Sequence, residues 1–279
     1  MNLVTGKVKK LQSILKNTQI NYFMPLNDES IDLKQYFDKK IRLSFTGKIF
    51  CAKCNRLTKK SYSQGFCFPC MKKLACCDIC IVKPELCHYD KGTCREPHWG
   101  EKNCMTNHIV YLSNTSGLKV GITRGTQIPT RWVDQGAIQA LPIIEVANRQ
   151  LSGLIEVEIS KFISDKTNWR VMLKEEPEKL NLKQISKEII LKIQPKLDEL
   201  RQSFGDSTIK ILSEEIVNLD FPVNQHPKKI NSLNFDKTPI IEGVLKGIKG
   251  QYLIFDNGVL NIRKFSSYEV NFEELKPSD

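Results

Sequence analysis

Ten cysteines lie between Cys51 and Cys104, and the chain has no others. The first four read Cys51-x-x-Cys54 and Cys67-x-x-Cys70, two close pairs with twelve residues between them. Four sulfurs on one short loop suit zinc, a borderline-soft ion without geometric demands of its own that accepts four thiolates at tetrahedral corners. Gly65, just before the second pair, supplies the backbone freedom that a tight metal turn needs. Cys77-x-x-Cys80 is a third pair and anchors an expected second zinc. Cys87, Cys94 and Cys104 are the pool for its last two ligands, with His88, His98 and His108 as further candidates. Cys76 adjoins Cys77 but is poorly phased with Cys80. Closed by four protein ligands, such ions are structural and leave no open position for hydrolysis. The competing readings are a disulfide scaffold, buried free thiols, or a redox pair at Cys77 and Cys80. The last lacks the βαβ setting such a pair has.

The surrounding chain of 279 residues is long enough for two or three domains. Its 41% hydrophobic and 26% charged content is that of an ordinary soluble protein, and no apolar run is long enough to cross a bilayer. Residues 1–11 carry lysines but no apolar core or cleavage site, so the expected location is a reducing cytoplasm, where clustered cysteines bind metal more often than they form disulfides. The formal charge is +11 and uneven. Residues 1–50 hold 9 basic and 4 acidic side chains, residues 51–108 hold 10 and 5, and the remaining 171 residues hold 23 and 22. Two zinc tetrathiolates would lower the total to about +7 and leave the front basic. A polyanion is the partner such a field attracts, and a solvated lysine-rich surface is the plain alternative.

The elements that must position these groups fall into five segments of an α+β chain. Residues 1–48 read as a β-rich segment, with a short helix at 8–15 and a strand in which Ile41, Leu43 and Phe45 alternate. Residues 49–108 form a zinc-ribbon-like metal module, dense in Cys, Gly and Pro, whose stability must come from the metal. In 109–177, strands at 109–112 and 118–122 flank a turn at 113–117. A helix follows near Thr130, then a strand at 141–146; in 148–163, Ile155, Val157 and Ile159 alternate like a strand while Leu151, Ile155, Ile159 and Phe162 fit one helical face, and length favours the helix. Residues 178–236 give a polar helix to about 204, with Pro195 a candidate break, and then a linker over 221–239. Residues 237–279 hold four short strand candidates, with Asp256-Asn257-Gly258 as a hairpin signal. They fit a small β-barrel-like unit or an addition to the sheet of the N-terminal strands.

Ile109-Val110-Tyr111, Lys119-Val120-Gly121, Arg131 and a helix carrying Glu156 together resemble the GIY-YIG nuclease superfamily over residues 109–165. More widely, the cysteine-rich front, Gly92-Thr93-Cys94-Arg95-Glu96-Pro97 and the run from Lys119 to Arg124 look like a bacterial family of uncharacterised proteins. The nuclease resemblance implies a three-stranded sheet flanked by helices. It also implies a tyrosine near the attacking water, an arginine on the phosphate and a glutamate on one magnesium or manganese ion. These roles would fall on Tyr111, Arg131 and Glu156. The chemistry suits them: phosphodiester cleavage needs an activated nucleophile, a cation on the phosphate and a hard metal for developing charge.

The chain also departs from that pattern. Lys119 stands where the second motif usually has tyrosine, Ile109 where the first begins with glycine, and Gln135 is the only polar candidate after Arg131 where a histidine often follows. Lys119 and Arg124 could clamp phosphate, and Lys119 could lower the pKa of Tyr111. Glu158 rivals Glu156, and Trp99 and Trp169 are candidates for stacking on bases. The leading expectation is therefore a zinc-stabilised protein that binds DNA or RNA and cleaves a phosphodiester with magnesium or manganese. Its rivals are a non-catalytic nucleic-acid-binding module and a zinc-dependent adaptor for a protein partner.

Overall fold

The computed structural model describes residues 3–276. In chain order its strands begin with β1 (Val4–Lys7), β2 (Gln12–Lys16), β3 (Gln19–Leu26), β4 (Glu29–Asp32) and β5 (Lys40–Ile49). Helices α1 (Phe68–Lys73) and α2 (Pro97–Asn103) follow, then β6 (His108–Asn114), β7 (Leu118–Arg124), α3 (Thr130–Asp134) and β8 (Gln139–Val146). Next come α4 (Arg149–Ile159), α5 (Trp169–Lys174), α6 (Leu182–Phe204), β9 (Ile209–Ile211) and β10 (Val217–Asn218). The chain ends in β11 (Ile240–Lys249), β12 (Tyr252–Phe255), β13 (Gly258–Asn261) and β14 (Tyr268–Glu274). This is a mixed α+β protein with three sheets and, among the described residues, six α-helices, none long and apolar enough to cross a membrane. The chain divides into two compact units. One holds residues up to Lys72, 173–175 and those from Asp220 onward; the other holds 73–172 and 176–219.

The first unit is built on an antiparallel six-stranded sheet of order β1-β14-β5-β11-β12-β13, with β2-β3-β4 as a second sheet. Period-two alternation puts Ile41 and Leu43 of β5 and Tyr268, Val270 and Phe272 of β14 on one buried face. Each buried aliphatic side chain of this kind stabilises by roughly 1.5–3 kcal/mol. Phe45, Phe235, Phe265 and Tyr268 add aromatic packing, with centroids 4.9 to 6.3 Å apart. On the opposite face Arg42 bonds Glu242 at 2.6 Å and Glu273 at 3.0 Å, one from each neighbouring strand. The tail is thus not a separate barrel-like unit: β14 lies between β1 and β5, and β11 lies on the other side of β5. The helix expected at 8–15 is also replaced. Residues 12–16 form β2, paired with β3, because Leu11 is buried and its N–H finds the Gln251 side chain at 2.7 Å.

The second unit carries the sheet β10-β8-β6-β7, with β9 beside β8. Val110, Leu112, Val120 and Ile144 of the sheet share one core with Leu151, Ile155 and Ile159 of α4 and Ile189, Ile193 and Leu197 of α6. In both helices the buried residues recur at three, four or seven, the stripe of an amphipathic helix. Asn148 caps α4 by accepting from Leu151 N at 2.9 Å, and Asn181 caps α6. Pro195 sits inside α6 without ending it.

Candidate functional site

The first cysteine set lies in the first unit, at the end of β5. A bridge between Phe50 and Leu57 closes a short hairpin around Cys51 and Cys54, and Cys51 N donates to Arg56 O at 2.9 Å. Asn55 turns the chain with φ 56°, and Gly65 takes φ +133° before the second pair. Cys67 directly precedes α1, and Cys70 follows within its first turn. All four sulfurs lie within 4.8 Å of one another, with Cys54 and Cys67 at 3.8 Å. Burial raises the Cys51 thiol, but backbone N–H groups of Cys54, Cys67 and Lys53 outweigh it and bring the group to about 6. Cys70 is pushed up to about 12 by its hydrogen bond with Cys67 and by burial. A cluster that already favours one thiolate can hold a metal ion such as zinc, and the donor set fits it.

Beside this loop the same unit has an open cleft of about 610 Å³ whose lining includes Lys59, Lys60, Arg263 and Lys264. Its one acidic lining residue, Asp236, accepts from Tyr268 Oη at 2.8 Å. Arg263 and Lys264 belong to the charge-balanced tail, so only the pairing of β14 with β5 makes them part of the basic front.

The later cysteines lie in the second unit. Cys80, Cys87, Cys94 and Cys104 line one small cavity, together with His88 and Trp99. Cys77 does not line it; its sulfur lies 3.9 Å from Cys76 Sγ. His98 is exposed on α2, and His108 is buried at the start of β6 with Nδ1 2.7 Å from Thr106 O. Asp78, Cys80 and His88 place ligand atoms within 4.8 Å of one another, a grouping that no cysteine spacing announces.

Tyr111 of β6 faces Gly121 of β7 across the sheet. A methyl group on residue 121 would lie 2.6 Å from the phenol oxygen, so glycine here makes room for the tyrosine. The Trp132 ring of α3 packs edge-on to Tyr111 with centroids 5.9 Å apart. The Gln135 amide lies 2.8 Å from the phenol oxygen. In the orientation that satisfies both neighbours, its nitrogen donates to Tyr111 Oη and its oxygen accepts from Arg131 at 3.3 and 3.1 Å. Gln135, which took the place of the looked-for histidine, thus ties Tyr111 to Arg131.

The charges around this phenol act on one another. Burial pushes Tyr111 up to about 12 against the pull of Arg131, so the expected lowering of the phenol by Lys119 is not found. Burial brings Lys119 down to about 8; Arg131 adds to the fall, and Glu156 and Asp165 oppose it. Burial pushes Glu156 up to about 7, opposed first by Lys119 and reinforced by Asp165. Arg131 and Glu156 thus lie near enough to both Tyr111 and Lys119 for their charges to act on them. Arg124 does not join them. It pairs with His108 at the other end of the β6–β7 ladder and donates to Asn103 of α2. Glu158 is held by Lys161 at 2.6 Å, and Trp169 stacks with Arg170 at 4.4 Å.

Asp165 and Thr167 lie in a stretch, 165–169, whose sequence signals no more than a helix stop and a turn. The turn docks on the sheet edge: Val120 N donates to Ser164 O at 2.9 Å, and Thr167 Oγ1 lies 3.4 Å from Lys119 Nζ.

No curated protein and no solved structure matches the chain. One family does, over residues 38–270, a stretch that takes in β5, all ten cysteines, the Tyr111 cluster and most of the strands that return to the first sheet. The chain therefore belongs to the family described as "Protein of unknown function (DUF2797)".

Proposed function

We propose that the chain binds nucleic acid and cleaves a phosphodiester at the cluster of Tyr111, Lys119, Arg131 and Glu156. The observation that carries this reading is the mutual influence of a carboxyl, an amine and a guanidinium beside one phenol, contributed by β6, β7, α3 and α4. Arg131 would hold the scissile phosphate. Glu156, whose carboxyl burial pushes up to about 7 and which a bound cation would draw into its charged form, would hold one magnesium or manganese ion, which would supply charge stabilisation at the phosphoryl oxygens. Lys119, brought to about 8, is poised to give or take a proton near neutral pH. The cleft with Lys59, Lys60, Arg263 and Lys264 suits a phosphate backbone.

One observation favours a second reading, a binding module without cleavage. Tyr111 is fully buried and its phenol is pushed up, which makes it a poor partner for an attacking water.

The test is end-labelled DNA and RNA incubated with the full chain and magnesium or manganese. The cleavage reading expects metal-dependent products that Glu156→Ala abolishes while binding persists. Binding that weakens steeply with salt, without products from either wild type or variant, gives the second reading. No binding to either nucleic acid rejects both and leaves the protein-adaptor reading.

A further inference from the structure

Four of the six cysteines of the second unit lie around a cavity of their own. Cys80 sits in the turn Ile79–Ile81, Cys87 just after the turn Pro84–Leu86, Cys94 in a loop, and Cys104 at the C-cap of α2. All four line one cavity of about 10 Å³. That is room for about one water-sized body and too little for an organic ligand. The segment that supplies them is irregular, and its large apolar side chains Ile79, Val82 and Leu86 are exposed. Such a segment lacks a hydrophobic core to hold four thiols together, and metal coordination is the usual substitute.

A second observation comes from α4. Arg149 is half-buried and donates through Nη2 to Ile81 O at 2.7 Å, yet its Nε is fully buried and has no hydrogen-bond partner among the described residues. It lies near enough to Cys80 and Cys104 for their charges to act on it. A buried guanidinium needs a counter-charge. A zinc tetrathiolate, which carries two net negative charges, provides one.

We propose that Cys80, Cys87, Cys94 and Cys104 bind a second structural zinc ion, with Arg149 balancing the charge of the site. On binding, the four thiols lose four protons to solvent as four zinc–sulfur bonds form, with no change of oxidation state. Asp78 and His88 place ligand atoms within 4.8 Å of that of Cys80, but they stand outside the ligand set because each is already engaged. The Asp78 carboxylate already accepts from Arg95 Nε at 2.7 Å and from Ile79 N at 2.6 Å, and His88 Nδ1 is 2.8 Å from Thr93 Oγ1. They are placed to hold the turns around the ligands, as groups behind a metal's direct ligands commonly do.

Metal content of the full chain, by elemental mass spectrometry after removal of loosely bound ions, tests this. Wild type should carry two zinc equivalents, Cys87→Ser and Cys104→Ser one, and Cys77→Ser and His88→Gln two. Arg149→Met should keep two but release the second to a chelator about tenfold faster, the effect expected of an outer-shell partner. If the serine variants do not fold, cobalt titration of wild type decides. A second equivalent that adds a thiolate charge-transfer band equal to the first supports the site. A single zinc in wild type, loss of one in His88→Gln, or a second cobalt without that band overturns it.

Discussion

Glu156 and Lys119 show how a few buried charges set one another. Burial works against the charged form of each, and each opposes the shift of the other, so they meet near neutrality at about 7 and about 8. Lys119→Met should therefore move the Glu156 carboxyl above 7, which side-chain carbon NMR across a pH titration reads directly. The folding consequence has a definite sign. A carboxyl raised in the folded state binds its proton more tightly there than in the unfolded chain. Its contribution to stability is greatest at low pH and declines as pH rises from the unfolded value of 4.5 through about 7. Urea midpoints of wild type should fall relative to Glu156→Gln across that window, and parallel curves would contradict the raised carboxyl. Gly121 acts at the same scale. Gly121→Ala puts a methyl 2.6 Å from the phenol oxygen and should cost about 1–3 kcal/mol in urea unfolding, although alanine suits a strand no worse than glycine.

At the scale of elements, α4 is held by close approach as much as by its apolar stripe. Gly153 faces the turn Pro84–Leu86, and a methyl there would meet Glu85 N and Pro84 Cβ at 2.6 Å. Helix propensity alone makes Gly153→Ala stabilising by about 0.8–1 kcal/mol. The backbone contact predicts the opposite: a net loss of about 1–3 kcal/mol, measured by thermal or urea unfolding, because backbone cannot swing aside as a side-chain tip can. The same substitution should weaken retention of the proposed second zinc, since that turn ends directly before Cys87. Periodicity made α6 readable, whereas length decided α4, because Ile155, Val157 and Ile159 also alternate like a strand. Residues 8–15 misled because their alternation is short, and a strand needs a partner that local sequence does not name.

The whole molecule is organised by returns of the chain. The strand that ends it, β14, is flanked by β1 and β5, more than 200 residues earlier. Truncation at residue 236 should therefore not leave a folded front. It exposes both edges that β14 covered and removes Val270 and Phe272 from the core, and amide exchange of β1 and β5 should become unprotected. Metal removal should act more locally. Chelation is expected to unravel 51–72, which holds no large apolar core, while β5, β14 and β11 keep their protection. Amide exchange in the metal-free chain checks this, and uniform loss of protection would mean that the metal supports the entire first unit.

The sequence by itself determined the first cysteine cluster, since two CxxC pairs on one loop bring four sulfurs together through local turns alone. It also determined the strands and helices around Tyr111, whose periodicities are local. Only the tertiary structure decided which later cysteines share a cavity, that Arg124 stands apart while Asp165 and Thr167 join Lys119, and that the tail completes the N-terminal sheet. Each of these depends on contacts between segments distant in the chain. Such contacts are selected by the burial of apolar faces and the satisfaction of backbone hydrogen bonds across the fold, neither of which any short window of residues contains.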